Sequence, residues 1–249
     1  MFPLRDHNPT EIFPFFTVLI MVLTAVTWLL VQGLGLSDNA LYESICTLGV
    51  VPADITGLNV VKGANVCESS NIGMASVLSS MFLHVSWGHL LGNLWFLWVF
   101  GNNIEDSMGH LSFVAFYLIT GTAAVMAHIA VNPSSAVPMV GASGAISGIM
   151  GAYLVLYPRI SIDTWVFFVV LKLPAWFMLG YWISIQLTGV LGPGSVDGGV
   201  AYGAHLGGFI AGLMLVPFFR NKKLVKAKKR GIVLPRAEID NRGWWGPNA

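Results

Sequence analysis

Val140-Gly141-Ala142-Ser143-Gly144-Ala145-Ile146-Ser147-Gly148-Ile149-Met150-Gly151-Ala152-Tyr153-Leu154-Val155-Leu156-Tyr157 contains no charged residue. At ~1.5 Å of rise per residue, a helix of this length covers most of the ~30 Å hydrocarbon layer of a bilayer. Five further runs of the same kind lie to either side. Residues 15–31 follow Pro14, which suits a helix start. A run within residues 76–100 is interrupted only by His84 and His89, and another covers residues 111–131. A run within residues 165–191 contains Lys172 and Pro174, and the last covers residues 202–219. Pro174 in the first turn of its helix leaves Lys172 at the interface, where the ammonium can snorkel. The sequence therefore predicts an all-α membrane protein with six transmembrane helices.

Composition points the same way. Of 249 residues, 55% are hydrophobic and 10% are charged, against about 25% charged in an ordinary soluble domain. Eleven of the 25 charges follow Phe219, so the first 219 positions carry only 14. That is too little polarity to coat a soluble particle, and the high hydrophobicity excludes a disordered chain. The net charge of +1, with basic residues gathered in one tail, gives no reason to expect a nucleic-acid partner. The first run reads as an uncleaved span and not a signal peptide. Its apolar core of 17 residues is long, Asp6 and Glu11 accompany Arg5 before it, and no small-x-small cleavage site follows.

Orientation comes from lysine and arginine near the span ends. Seven positive charges between Arg220 and Arg230 follow the sixth run and favour a cytoplasmic tail. An even number of spans then puts the N-terminus on the same side, and the short loop with Arg159 agrees. The outer segments carry Asp38, Glu43, Asp54, Glu68 and Asp197 against Lys62. The expected organisation is a cytoplasmic segment 1–14, a six-span core 15–219 with a long outer loop at about 32–86, and a basic, flexible cytoplasmic tail 220–249. The long loop remains apolar (Ile45, Leu48, Val50, Val51, Ile55, Leu58), which suggests that it lies in the interface. Cys46 and Cys67 fall on the outer, disulfide-permissive side; a bridge and two buried thiols remain equally open. A bacterial inner membrane fits this topology and the lack of a transit peptide.

Polar groups inside a membrane need a reason to be there. Gly141-Ala142-Ser143-Gly144 fits two readings: small residues for close helix packing, or glycines clearing space around a nucleophile. His205, followed by Gly208 and Gly212 at i and i+4, is either a hydrogen-bonding link between helices or a base beside the glycine-rich fourth helix. His89 and Asn93 share one face of the second helix, which Ser86 is suited to cap from Trp87; His84 then precedes the helix. The predicted topology joins the three features. The second, fourth and sixth helices all enter from the outer face, with His89, Ser143 and His205 near their entering ends. Helix N-termini add free N–H groups and partial positive charge. A serine, a base for it and donors for an oxyanion are the parts of acyl transfer, so catalysis becomes the better reading.

The set His89-x-x-x-Asn93, Gly141-Ala142-Ser143-Gly144 and Ala204-His205 with Gly208-x-x-x-Gly212 resembles the rhomboid intramembrane serine proteases across residues 15–219. The resemblance implies a rhomboid-like bundle with Ser143 as nucleophile and His205 as general base, then general acid. It implies His89, Asn93 and the Ser143 backbone N–H as oxyanion donors. It also implies cleavage of membrane-protein substrates within transmembrane segments near the outer face, by a dyad with no cofactor and no metal. Two positions differ from the common family pattern. Ser147 stands where an aromatic ring often stacks on the histidine, and residues 32–86 contain no Trp-Arg pair.

Four rivals remain: a catalytically silent rhomboid-like factor that binds or escorts membrane proteins, a channel, a transporter, and a serine acyltransferase or lipase. The silent relatives typically lack the serine or the histidine, and both are present. A channel or transporter favours ionisable spans and internal repeats, which are not seen. There is no His-Glu-x-x-His for zinc and no pair of intramembrane aspartates for aspartyl proteolysis.

Overall fold

The computed structural model describes residues 1–58, 67, 72–192 and 200–229. Lys62, Glu68 and Asp197 of the outer charge count, and the end of the tail from residue 230, lie outside the described residues. In chain order the elements are β1 (Phe2–Asp6), α1 (Phe15–Leu30), α2 (Asp38–Leu48), α3 (Pro52–Thr56), α4 (Ser76–Ser79) and α5 (Trp87–Met108). There follow α6 (His110–Val131), α7 (Ser143–Leu156), β2 (Ser161–Val166), β3 (Val169–Pro174), α8 (Ala175–Leu191), α9 (Tyr202–Phe219) and α10 (Lys222–Lys229). Each of the six apolar runs contributes one long helix. By length and apolar composition alone, α6 and α9 are long enough to cross a membrane, while α1, α7 and α8 are apolar but shorter.

The molecule is mostly helical, but the all-α expectation needs correcting. β1, β2 and β3 form a three-stranded antiparallel sheet in that order. Residues 165–174 belong to the fifth apolar run expected within 165–191, because a short apolar run does not declare its period. Instead Ser161–Val166 and Val169–Pro174 are rich in β-branched and aromatic residues and close as a hairpin through Phe167 and Phe168. Asp163 lies opposite Lys172 across the strands and accepts a 2.9 Å hydrogen bond from His7, which holds its carboxyl below the usual value. The helix itself starts at Ala175, after Pro174. β1 pairs with β2, so the N-terminal segment and the loop carrying Arg159 lie together at one end of the bundle.

The core of the bundle is α7 and α9. Their glycines face each other so closely that a Cβ on Gly208 would run into the Gly144 carbonyl oxygen, and one on Gly212 into that of Gly148. A Cβ on Gly151 would meet the Phe209 carbonyl in the same way. The approach expected of the fourth and sixth helices is thus present, and backbone contact replaces side-chain interdigitation along it. Around this seam pack Phe100, Phe113, Phe116, Ile149 and Tyr153, all fully buried.

The end of the bundle beside the sheet is held by polar contacts. Glu105, completely buried at the end of α5, accepts from the Phe16 and Thr17 backbone N–H groups at 2.9 and 2.8 Å and from the Thr17 hydroxyl at 2.7 Å. A carboxylate supplied from another helix thereby caps the N-terminus of α1. Asp106 accepts from the Glu11 and Ile12 backbones, and Asp6 of β1 accepts from Asn103 and the Tyr153 hydroxyl. The tail expected to be flexible from residue 220 is instead helical over α10. Asn221 caps it, its own N–H donates to the Ser107 carbonyl, and Leu224 and Val225 are buried.

The long loop between α1 and α5, expected to lie in the interface, is folded where it is described. Ser37 caps α2, Pro52 opens α3, and Gly57 ends it in the left-handed conformation. Val50 exchanges backbone hydrogen bonds with Met139, and Ala53 donates to Ser135. The loop therefore braces the irregular stretch that leads into Ser143. Cys46 and Cys67 are joined in a disulfide.

Candidate active site

Each site residue gets its position from the local chemistry of a helix start. Ser86 caps α5, its hydroxyl accepting from the His89 N–H at 3.1 Å, so His89 lies in the first turn and Asn93 one turn deeper. Ser143 is the first residue of α7. His205 is in the first turn of α9, which begins at Tyr202. The three starts sit around one cavity of about 430 Å³, lined by His89, Asn93, Ser143 and His205 together with Phe96 and Met139.

Ser143 Oγ lies 2.8 Å from His205 Nε2. A serine hydroxyl and an imidazole nitrogen at this distance share a proton, the geometry of a nucleophile beside its base. The N–H groups of the first turn of α7 have no intrahelical acceptor and surround Ser143 with partial positive charge. The His89 ring closes the other side. Gly141 has φ +125°, and a Cβ there would stand 2.8 Å from His89 Nε2 and 3.6 Å from Ser143 Oγ. Glycine is needed at this position twice over, for the backbone angle and for the approach of the ring. Asn93 Nδ2 donates to the His89 carbonyl oxygen at 2.9 Å, so its amide is held at the cavity wall. His84 precedes α5, as expected. It is fully buried, with its backbone N–H and carbonyl clasped by the Gln32 amide at 2.9 and 2.7 Å, and its ring stands edge-on to His89.

Three residues around His205 are not singled out by the sequence alone. The ring against His205 is Trp182 of α8, with centroids 5.8 Å apart. It supplies the aromatic contact that Ser147 cannot; Ser147 Oγ donates to the Ser143 carbonyl along its own helix. Gln186, one turn beyond Trp182, accepts at Oε1 from His205 Nδ1 at 2.8 Å. A lone amide inside an apolar run was the available signal. His128, near the end of α6, lines the cavity with Asn132. Its i, i+4 spacing from Asn132 repeats that of His89 and Asn93 and could have flagged it.

Comparison with known proteins is consistent with this geometry. A family model described as "Rhomboid domain" matches residues 73–222, a span that includes every residue of the cavity named above. Rhomboid-like protein 11, chloroplastic, of Arabidopsis thaliana is 33% identical over 144 residues, 56% of this chain and 50% of that protein. Rhomboid-like protease 5 of Toxoplasma gondii is 33% identical over 178 residues, 69% of this chain and 19% of that protein. Rhomboid protein 1, mitochondrial, of Saccharomyces cerevisiae is 28% identical over 166 residues, 62% of this chain and 44% of that protein. The chain spans half or less of the length of these relatives.

Proposed function

The chain belongs to the rhomboid family, and from that premise we propose that it is an intramembrane serine endopeptidase that cuts transmembrane segments of other membrane proteins near the outer face. The observation that carries the reading is the 2.8 Å contact between Ser143 Oγ and His205 Nε2 at the wall of a cavity.

In this reading six helices, α1 and α5 to α9, cross the bilayer. The 14 residues of α7 rise only about 21 Å, against about 33 Å for the 22 residues of α5. A short α7 sets Ser143 below the outer surface, and the irregular backbone before it lines a cavity, where lipid cannot strip its hydrogen bonds. The basic tail and the strand-paired N-terminal segment face the cytoplasm. The Cys46–Cys67 disulfide then lies on the same outer side as Ser143, which suits an oxidising compartment such as that outside a bacterial inner membrane.

His205 Nε2 takes the proton as Ser143 Oγ attacks the scissile carbonyl carbon. The carbonyl electrons move onto oxygen, and the oxyanion is met by the Ser143 N–H and by side-chain donors from His89 and Asn93. The tetrahedral intermediate collapses as the imidazolium gives its proton to the leaving amine. Water, deprotonated by the same imidazole, then releases the acyl group from Ser143. No metal or cofactor is invoked.

The test is cleavage of a reporter transmembrane segment by the purified protein in liposomes. Ser143→Ala and His205→Ala are each expected to reduce cleavage to background while insertion and thermal stability are retained. Undiminished cleavage by folded Ser143→Ala would overturn the assignment. A folded wild-type protein that binds the reporter and never cuts it would support the escort role.

A further inference from the structure

His205 presents two nitrogens, and only one faces Ser143. The other, Nδ1, is 2.8 Å from Gln186 Oε1 on α8. Gln186 is 6% exposed and is the one polar residue among the buried positions of its helix. Its amide cannot turn over without loss, because Nε2 donates to the Trp182 carbonyl oxygen at 3.3 Å. An oxygen accepts only, so His205 Nδ1 must carry the proton and Nε2 must present its lone pair to the serine. Trp182, one turn before Gln186, lies against the same imidazole. α8 thus contacts the ring at its face and at its distal nitrogen.

We propose that Gln186 is a positioning residue for His205, a neutral third member that fixes the imidazole in the tautomer able to accept the Ser143 proton. The role rests on the protease reading above. It is the role a carboxylate plays in a serine triad, performed by an amide that brings no charge into the membrane. An amide dipole stabilises the transient imidazolium less than a carboxylate does, so its removal has a smaller effect than removal of a triad acid. Among the described residues, the titratable groups near His205 are His89 from α5 and His128 from α6; α7 offers Ser143, and α8 offers Trp182 and Gln186.

The experiment is steady-state cleavage of a transmembrane reporter by the full chain in liposomes, across pH, for wild type, Gln186→Leu and Gln186→Glu, with Ser143→Ala as reference. Gln186→Leu is expected to lower kcat about tenfold to a hundredfold, with KM within about twofold, because substrate does not touch this residue. Gln186→Glu restores an acceptor and sets a carboxylate beside the ring. An anion there favours imidazolium, so kcat recovers while the acid limb of kcat/KM moves about one unit to higher pH. A residue that merely links α8 to α9 would leave kcat unchanged in the folded fraction of Gln186→Leu. Wild-type kcat in folded Gln186→Leu, or a Gln186→Glu profile superimposable on wild type, overturns the proposal. If Gln186→Leu does not fold, the Gln186→Glu profile decides alone. Cleavage persisting in Ser143→Ala defeats the protease reading and this inference with it. A silent Ser143→Ala beside a fully active Gln186→Leu defeats this inference only.

Discussion

The two ends of α5 carry buried polar residues in an otherwise apolar helix, and they are finished differently. At the end beside the sheet Glu105 accepts from two backbone N–H groups, a hydroxyl and His110, and Asp106 accepts from two further backbone N–H groups. Ser107 bonds both its own helix and the Tyr157 hydroxyl. At the end that faces Ser143, His89 Nδ1 has no hydrogen-bond partner among the described residues. Buried polar groups are ordinarily satisfied, so a satisfied cluster reads as architecture and an unsatisfied one as a site that keeps its bonding capacity for something else. Depth and polarity alone do not separate the two ends; the bonding of α5's own side chains does, although Glu11 Oε2 and Arg220 Nε around the Glu105 end also lack a partner among the described residues.

Substitutions at each end should therefore fail in different measurements. The largest effect is expected from Ser143→Ala, a loss of about 10⁴-fold or more in kcat/KM with unfolding unchanged. Glu105→Ala should reverse that pattern. It strands several donors at the start of α1 and costs about 4 kcal/mol of stability, read by detergent-denaturant unfolding. The fraction still folded should turn over within a few-fold of wild type. A Glu105→Ala protein that is stable but inactive would erase the distinction between the ends. Asn93→Ala comes next, with a fall in kcat of about 10²-fold, smaller than for Ser143→Ala because oxyanion donors act in parallel. A loss equal to that of Ser143→Ala in folded protein would remove Asn93 from the oxyanion role. The smallest effect is expected from Cys46→Ser, which opens the disulfide of the outer loop and costs about 2 kcal/mol with the serine–histidine contact intact. Unaltered thermal unfolding would show that this brace is dispensable.

The sequence discloses the Ser143 end better than the sheet end. Ser86 announced the start of α5, and the topology drawn from the basic tail brought His89, Ser143 and His205 to the entering ends of three helices. Those are features of local spacing and of charge bias, which a chain displays without its fold. Glu105 and Asp106 entered the charge count and nothing more, because their partners lie about 90 positions away in the N-terminal segment. The hairpin over residues 161–174 was hidden by apolar residues that suit a strand or a helix start equally. Gln186 was overlooked for a related reason. A single amide in an apolar run shows that some partner exists, and only the packing of α8 on α9 identifies it as His205. Two cysteines 21 positions apart suit a bridge or two thiols equally in the sequence, and only the folded loop joins Cys46 to Cys67.

The central claim is that Ser143 is an activated nucleophile, and covalent labelling tests it most directly. The folded wild-type chain should react with a serine-directed fluorophosphonate to give one adduct, mapped by peptide mass spectrometry to Ser143. The adduct should be absent from Ser143→Ala, lost from His205→Ala and retained in the folded fraction of Glu105→Ala. A well-folded wild-type protein that takes no label, or takes it at another residue, would contradict the account.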